Sequence, residues 1–495
     1  MRDFNKDDFI IRYPGKYDEQ EKPYVDAFFR ELERINNRGP VDVQALISGT
    51  LPENTPGLGP VVPVTENMIR YNHQKYEQEN PLFNDREYAK KAGYADIPAY
   101  FTFGAHDDSY TSPFPPAARD TLLVSQASHH VEHVNDVYAG DTLYMVIDKR
   151  EMMDLTPEKG SIYRSCALYN EGTVYNQKGE IVNHVYFHYM ESVKTYKPGR
   201  KPENFEAMGF AGFWEDPDWC SKEDHYYTDT DYEYMKSIWE KEEIRGSEPR
   251  YFEDVRVGDQ PALTLEGPII DCALPSAPYG QGIGGTRTMK KEILDSEIFR
   301  TMTQDSHGIY RLPNPEDYTP AIPDGVRTAF MVDDGRGEAL DEKLDSEDAK
   351  ETKETPDEDL DTADIHAAAG DERAAIINYV GRDLAIHHLN NWMGDAGRIE
   401  SINWSIMPAG THAVYGKPVP KSPYYHAFIQ SAPAAEGMMI STHGLTRDIA
   451  EVHSQVVERY YKNGKAIARL IWWIQDINQR AWIEGSAEVS LPQKA

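Results

Sequence analysis

Residues 374–393 read Ala-Ala-Ile-Ile-Asn-Tyr-Val-Gly-Arg-Asp-Leu-Ala-Ile-His-His-Leu-Asn-Asn-Trp-Met. Ile376, Ile377, Val380, Leu384, Ile386, Leu389, Trp392 and Met393 fall at helical spacing and cover a wide apolar arc. The segments that follow read as strands: 399–407, 411–414, 449–461, 466–477 and 481–489. A helix that precedes an antiparallel meander predicts an α+β unit.

The N-terminal half repeats that order. Helices are predicted over 17–37, over 65–77 with Thr65 as N-cap, and over 86–93. Residues 49–63 are rich in Pro, Gly and Thr and read as a loop. Strands are then predicted at 131–137, 142–148, 162–169 and 181–193. Two turns echo between the halves. Ala139-Gly140-Asp141 pairs with Ala409-Gly410-Thr411, and Lys178-Gly179-Glu180 with Asn463-Gly464-Lys465. Strand–glycine–strand is common in any β-rich chain, so the order of elements carries more weight than these turns. The expected organisation is an extension over 1–64, a first unit over 65–195, a linker over 196–250 with a short helix near 231–243, and a second unit over 251–495.

The chain has 495 residues, with 51 Lys+Arg against 83 Asp+Glu and a formal net charge of −32. That charge excludes nucleic-acid binding through bulk phosphate neutralisation and disfavours an anionic membrane surface. Residues 333–361 hold 14 acidic and 4 basic residues and read as a solvated acidic insertion. Cys166, Cys220 and Cys272 are widely spaced, as in a reducing compartment. The first residues lack the apolar core of a secretory signal, and no apolar run is long enough to span a bilayer. A cytoplasmic protein is expected.

Several segments resemble one family. Asn80-Pro81-Leu82-Phe83-Asn84-Asp85-Arg86-Glu87-Tyr88-Ala89 through Gly93 resembles a run in MaoC-like hot-dog dehydratases, most of all their fatty-acid-synthase-type N-terminal domain. Tyr138-Ala139-Gly140-Asp141-Thr142-Leu143 is similar to the family's Gly-Asp turn. Tyr251-Phe252-Glu253-Asp254 through Gly258-Asp259 is similar to the opening of its second copy, and 378–395 to its central helix. The resemblance implies two tandem hot-dog units, each a helix wrapped by antiparallel sheet, forming a double hot-dog. It implies reversible hydration of a 2,3-enoyl thioester of coenzyme A or acyl carrier protein, with no cofactor and no metal. A homodimer is a further expectation.

Hydration needs a base for water and an acid for the alpha carbon, which a paired Asp and His supply. The family places them five residues apart around Asn-Pro. In the first copy Gln78 and Phe83 occupy those positions, so this copy keeps the turn and lacks the pair. Leu82 and Phe83 are expected to pack the core or floor an acyl tunnel. In the second copy Asp361 and His366 have the required separation, without Asn-Pro. A competing alignment sets Met331 at the histidine position. Tyr379, Gly381 and Arg382, at the start of the central helix, are the expected thioester-binding residues, with Arg287, Lys290 and Lys291 as further cations for coenzyme A. Two other functions stay open: an acyl-thioester-binding protein without turnover, and a hot-dog thioesterase.

Other candidates have plainer readings. His106-Asp107-Asp108 reads as a loop, and His129, His130 and His133 lie on a strand where the first two point apart, against a metal site. His387 and His388 read as hydrogen-bonded core. Gly280-Gln281-Gly282-Ile283-Gly284-Gly285 matches a dinucleotide pattern but lacks a clean preceding strand.

Overall fold

The computed structural model describes residues 22–77, 79–105, 122–124, 128–154, 163–194, 223–269, 294, 296–311, 378–405 and 444–494. Strands are β1 (Leu58–Pro63), β2 (Leu122–Val124), β3 (Ser128–His133), β4 (Thr142–Asp154), β5 (Tyr163–Tyr175), β6 (Ile181–Lys194) and β7 (Thr264–Glu266), then β8 (Thr303–Gln304), β9 (Tyr310–Arg311), β10 (Arg398–Ser405), β11 (Ala450–Lys462), β12 (Lys465–Gln475) and β13 (Ala481–Ser490). Helices are α1 (Lys22–Arg38), α2 (Val43–Ile47), α3 (Glu66–Tyr76), α4 (Arg86–Lys91), α5 (Asp229–Trp239), α6 (Ser296–Phe299) and α7 (Asn378–Met393).

One 11-stranded antiparallel sheet runs β1-β4-β5-β6-β3-β10-β13-β12-β11-β7, with β2 beside β6. The halves meet where β3 pairs with β10, Val131 opposite Ile402 and His129 opposite Trp404. On one side of that seam the order outward is β3-β6-β5-β4; on the other it is β10-β13-β12-β11. The two units are therefore equivalent strand for strand, and α7 packs against β10 to β13. The fold is α+β, a double hot-dog. One core cluster runs through both units, from Phe83, Phe101 and Val131 to Leu384, Trp404 and Trp482.

Strand equivalence corrects the turn pairing read from sequence. Asn463-Gly464 joins β11 to β12, whereas Lys178-Gly179 joins β5 to β6; the equivalent of the latter is the β12–β13 turn, 476–480. The two turns share one geometry. Asn176 Oδ1 accepts from the N–H groups of Lys178 and Glu180, and Asp476 Oδ1 from those of Asn478 and Arg480. Gly179 sits at φ +78° and Gln479 at +62°. The left-handed position is held by glycine in one copy and by glutamine in the other, so glycine could not mark the match.

β1 was expected as loop. It pairs with β4 from Leu58↔Val146 to Pro63↔Thr142 at the sheet's outer edge, where a proline's missing N–H faces no partner strand. The expected N-cap holds: Thr65 Oγ1 accepts the Met68 N–H at 3.2 Å. The short β7 was likewise not foreseen. The expected strand 411–414 and the acidic insertion 333–361 lie outside the described residues. No helix among the described residues is long and apolar enough to cross a membrane.

Candidate functional site

Helix α3 presents Ile69, Asn72, His73, Tyr76 and the capping Glu77 along one stripe, all buried. α3 and α7 touch, so this partly polar stripe meets the central helix of the other unit. The chain then turns through Asn80-Pro81. Asn80 Oδ1 accepts the Leu82 N–H at 3.1 Å, and Asn84 Nδ2 donates to the carbonyls of Asn80 and Glu77. These bonds fix Leu82 and Phe83 inward. Phe83, at the position where the resemblance would place a histidine, packs edge-on against His73 with ring centres 4.8 Å apart. His73 Nδ1 donates to the Phe83 carbonyl at 3.1 Å, and burial holds its pKa down at about 4.

A cavity of about 320 Å³ opens at the seam between the units. Leu82, Phe83, Phe101, Ile386 and Met393 give it an apolar wall. Leu82 and Phe83 belong to the core cluster and also line this cavity. Its polar wall includes Asn390, Tyr100, His133, Asp136, Asp395 and Arg398. The volume lies within the range of small-molecule sites.

Behind Tyr100 and Asn390 lies a buried charge network. Glu77 Oε1 accepts from Tyr100 Oη at 2.7 Å and from Asn390 Nδ2 at 2.8 Å. His387 reaches Glu77 Oε2 through Nδ1 and Glu242 Oε1 through Nε2, both at 3.1 Å. Asn391 Nδ2 donates to the same Glu242 oxygen at 3.0 Å. Burial alone would lower the His387 pKa, but the two carboxylates outweigh it and raise it to about 10. The imidazole bridges the two carboxyl groups, and they favour its protonated form. Its neighbour is the opposite case. His388 hydrogen-bonds two hydroxyls, Thr264 Oγ1 at 3.2 Å and Ser454 Oγ at 2.7 Å. Burial, reinforced by repulsion from His453 and His387, pushes it down to about 3. Both histidines are hydrogen-bonded core, as the sequence indicated; the two acidic partners of His387 were not foreseen.

At the other end of the cavity His133 Nε2 lies 3.1 Å from Asp136 Oδ1, and its Nδ1 lies 3.0 Å from the Ile399 carbonyl. Burial first, then Arg398, lowers its pKa despite Asp136. His129 stacks on Trp404 across the seam, and no group of three or more metal-ligating side chains occurs among the described residues. Asp395 Oδ2 accepts from Tyr88 Oη at 2.6 Å; burial raises its pKa, with Tyr88 opposing.

The expected site residues fall in two groups. Asp361 and His366 lie outside the described residues, as do Met331, Arg287, Lys290, Lys291, 106–108 and 280–285. Tyr379, Gly381 and Arg382 stand near the start of the described part of α7, and neither Gly381 nor Arg382 lines the cavity. Arg382 is fully buried, pairs with Asp383 at 2.7 Å and lies over the Trp404 ring at 5.3 Å. Gly381 is pressed against Ile483, whose Cδ1 would stand 2.9 Å from an added Cβ.

Residues 60–185 match the family model of the FAS1-like dehydratase domain region. No curated protein matches the chain. Among solved structures, a MaoC domain protein dehydratase from Chloroflexus aurantiacus J-10-fl is 11% identical, with 88% of this chain and 94% of that one covered, at TM-score 0.37. A MaoC-like dehydratase is 13% identical over 88% and 96%, at TM-score 0.37. A conserved hypothetical protein from Mycobacterium tuberculosis, described as having a double hotdog fold, is 8% identical over 88% and 95%, at TM-score 0.38.

Proposed function

We propose that the chain is a double hot-dog hydratase/dehydratase acting on a 2,3-enoyl or 3-hydroxyacyl thioester of the coenzyme A type. One observation carries this reading. Inside the segment that matches the dehydratase region, the turn after Asn80-Pro81 aims Leu82 and Phe83 into a cavity between the two units. An acyl chain fits such an apolar wall.

In this reading Asp361 and His366 carry the chemistry. One activates water for addition at C3, and the other delivers a proton to the alpha carbon. Tyr379, Gly381 and Arg382, near the start of α7, bind the thioester in this reading, and the helix N-terminus favours the developing enolate charge. The first unit contributes the acyl cavity rather than catalytic groups.

Binding without turnover is the second reading, favoured by the apolar Phe83 at the histidine position of the first copy. Incubation of the full chain with a 3-hydroxyacyl-CoA separates the readings. Growth of the 2,3-double-bond absorbance supports dehydration. Saturable binding with no spectral change supports the second reading, and release of free thiol supports a thioesterase.

A further inference from the structure

We infer that the acyl group filling the cavity carries a hydrogen-bond donor at its far end, received by Asp395. This rests on the acyl-thioester reading above and names the kind of acyl group. Asp395 stands in the turn Gly394-Asp395-Ala396-Gly397 that follows α7, lines the cavity, and is 8% exposed. Its position is fixed twice. Its N–H donates to the Gly246 carbonyl at 2.9 Å, and its Oδ2 accepts from Tyr88 Oη. Oδ1 makes no hydrogen bond among the described residues.

The other charged groups at this end are engaged with one another. Asp136 Oδ1 lies 3.1 Å from His133 and 3.7 Å from Arg398, and Arg398 also donates to the Val134 carbonyl at 2.9 Å. Tyr94 Oη donates to the Asp395 carbonyl at 3.3 Å rather than to its carboxyl. A plain alkyl end packed here would strip water from Oδ1 and return no partner, which is unfavourable. A hydroxyl at the same place replaces the lost water. The apolar part of the wall, with Leu82, Phe83, Ile386 and Met393, suits methylenes. The fitting ligand is an apolar stem with a donor tip, distinct from the C3 hydroxyl that hydration itself makes.

The test compares 6-hydroxyhexanoyl-CoA with heptanoyl-CoA, in which a methyl replaces the hydroxyl, by binding to the full chain. The hydroxylated thioester is expected to bind on the order of tenfold more tightly. Asp395→Leu should abolish or invert that preference, and Asp395→Asn, which keeps an acceptor oxygen, should retain it. Equal affinities, or a preference that survives Asp395→Leu, would overturn the inference. Free 1-hexanol and its isomer 1-methoxypentane, which has no donor, separate the two levels of the claim. If neither thioester binds but 1-hexanol is still preferred, the thioester reading fails and the donor site stands. If these probes bind alike, or neither binds, the donor site fails.

Discussion

The imidazole of His387 lies 3.1 Å from the carboxylate of Glu77, although 310 positions separate them in the chain. Its other nitrogen meets Glu242, so one side chain ties the first unit and the linker to the central helix of the second. Replacing His387 by Ala leaves two buried carboxylates facing each other. The expected cost is about 3–5 kcal/mol, measured by urea unfolding, because removing one partner of a buried ion pair strands the other.

The same group sets a pH dependence. Its pKa is about 10 in the folded chain against an unfolded value of 6.5. The folded state therefore binds the extra proton between these limits. The contribution of His387 is complete below about pH 6.5 and is lost as pH rises through about 10. The urea midpoint should fall across that window in the wild type. In Glu77→Gln the fall should be smaller, since one of the two carboxylates that hold the proton is gone.

The matched turns make a local prediction. Gln479 holds the left-handed conformation that Gly179 holds in the first unit. Gln479→Gly should stabilise the chain by about 1 kcal/mol, since a side chain at positive φ is penalised by roughly that amount. A thermal melt against the wild type reads the difference; a lower melting temperature would contradict the equivalence of the turns.

Gly485 should tolerate no side chain. It pairs with Trp404 of β10 and Trp472 of β12, and an added Cβ would stand 1.9 Å from the Asn403 carbonyl oxygen and 2.5 Å from the Trp472 ring. Gly485→Ala is expected to destabilise by about 1–3 kcal/mol, the usual cost of overpacking, or more, because backbone must move. Equilibrium unfolding checks it.

Much of the fold is legible in the sequence because it is written in local periodicity. The apolar arc of α7, the strand-type runs of β10 to β13 and the hydroxyl cap at Thr65 each follow from near neighbours in the chain. β1 was hidden because Pro60 and Pro63 read as loop punctuation, and only the edge position they occupy makes them compatible with a strand. The cavity was legible at Leu82 and Phe83, through the turn that aims them inward. Glu77 and Asp395 were not. Nothing in the sequence near Glu77 or Asp395 signals burial, because His387 and Tyr88, which meet them, stand more than 300 positions away. His387 carried a weak sign, since a titratable side chain in so apolar a helix needs a buried partner, but nothing local names Glu77 and Glu242. Asp361 and His366 stand on sequence spacing and resemblance.

The most direct measurement is the 2,3-double-bond absorbance of crotonyl-CoA incubated with the full chain and, in parallel, with His366→Ala, while free thiol is monitored. The account predicts that the absorbance falls with the full chain, that it does not fall with His366→Ala, and that no thiol appears. An absorbance unchanged by the full chain would contradict the hydratase reading, and equal rates in the two proteins would contradict the role given to His366.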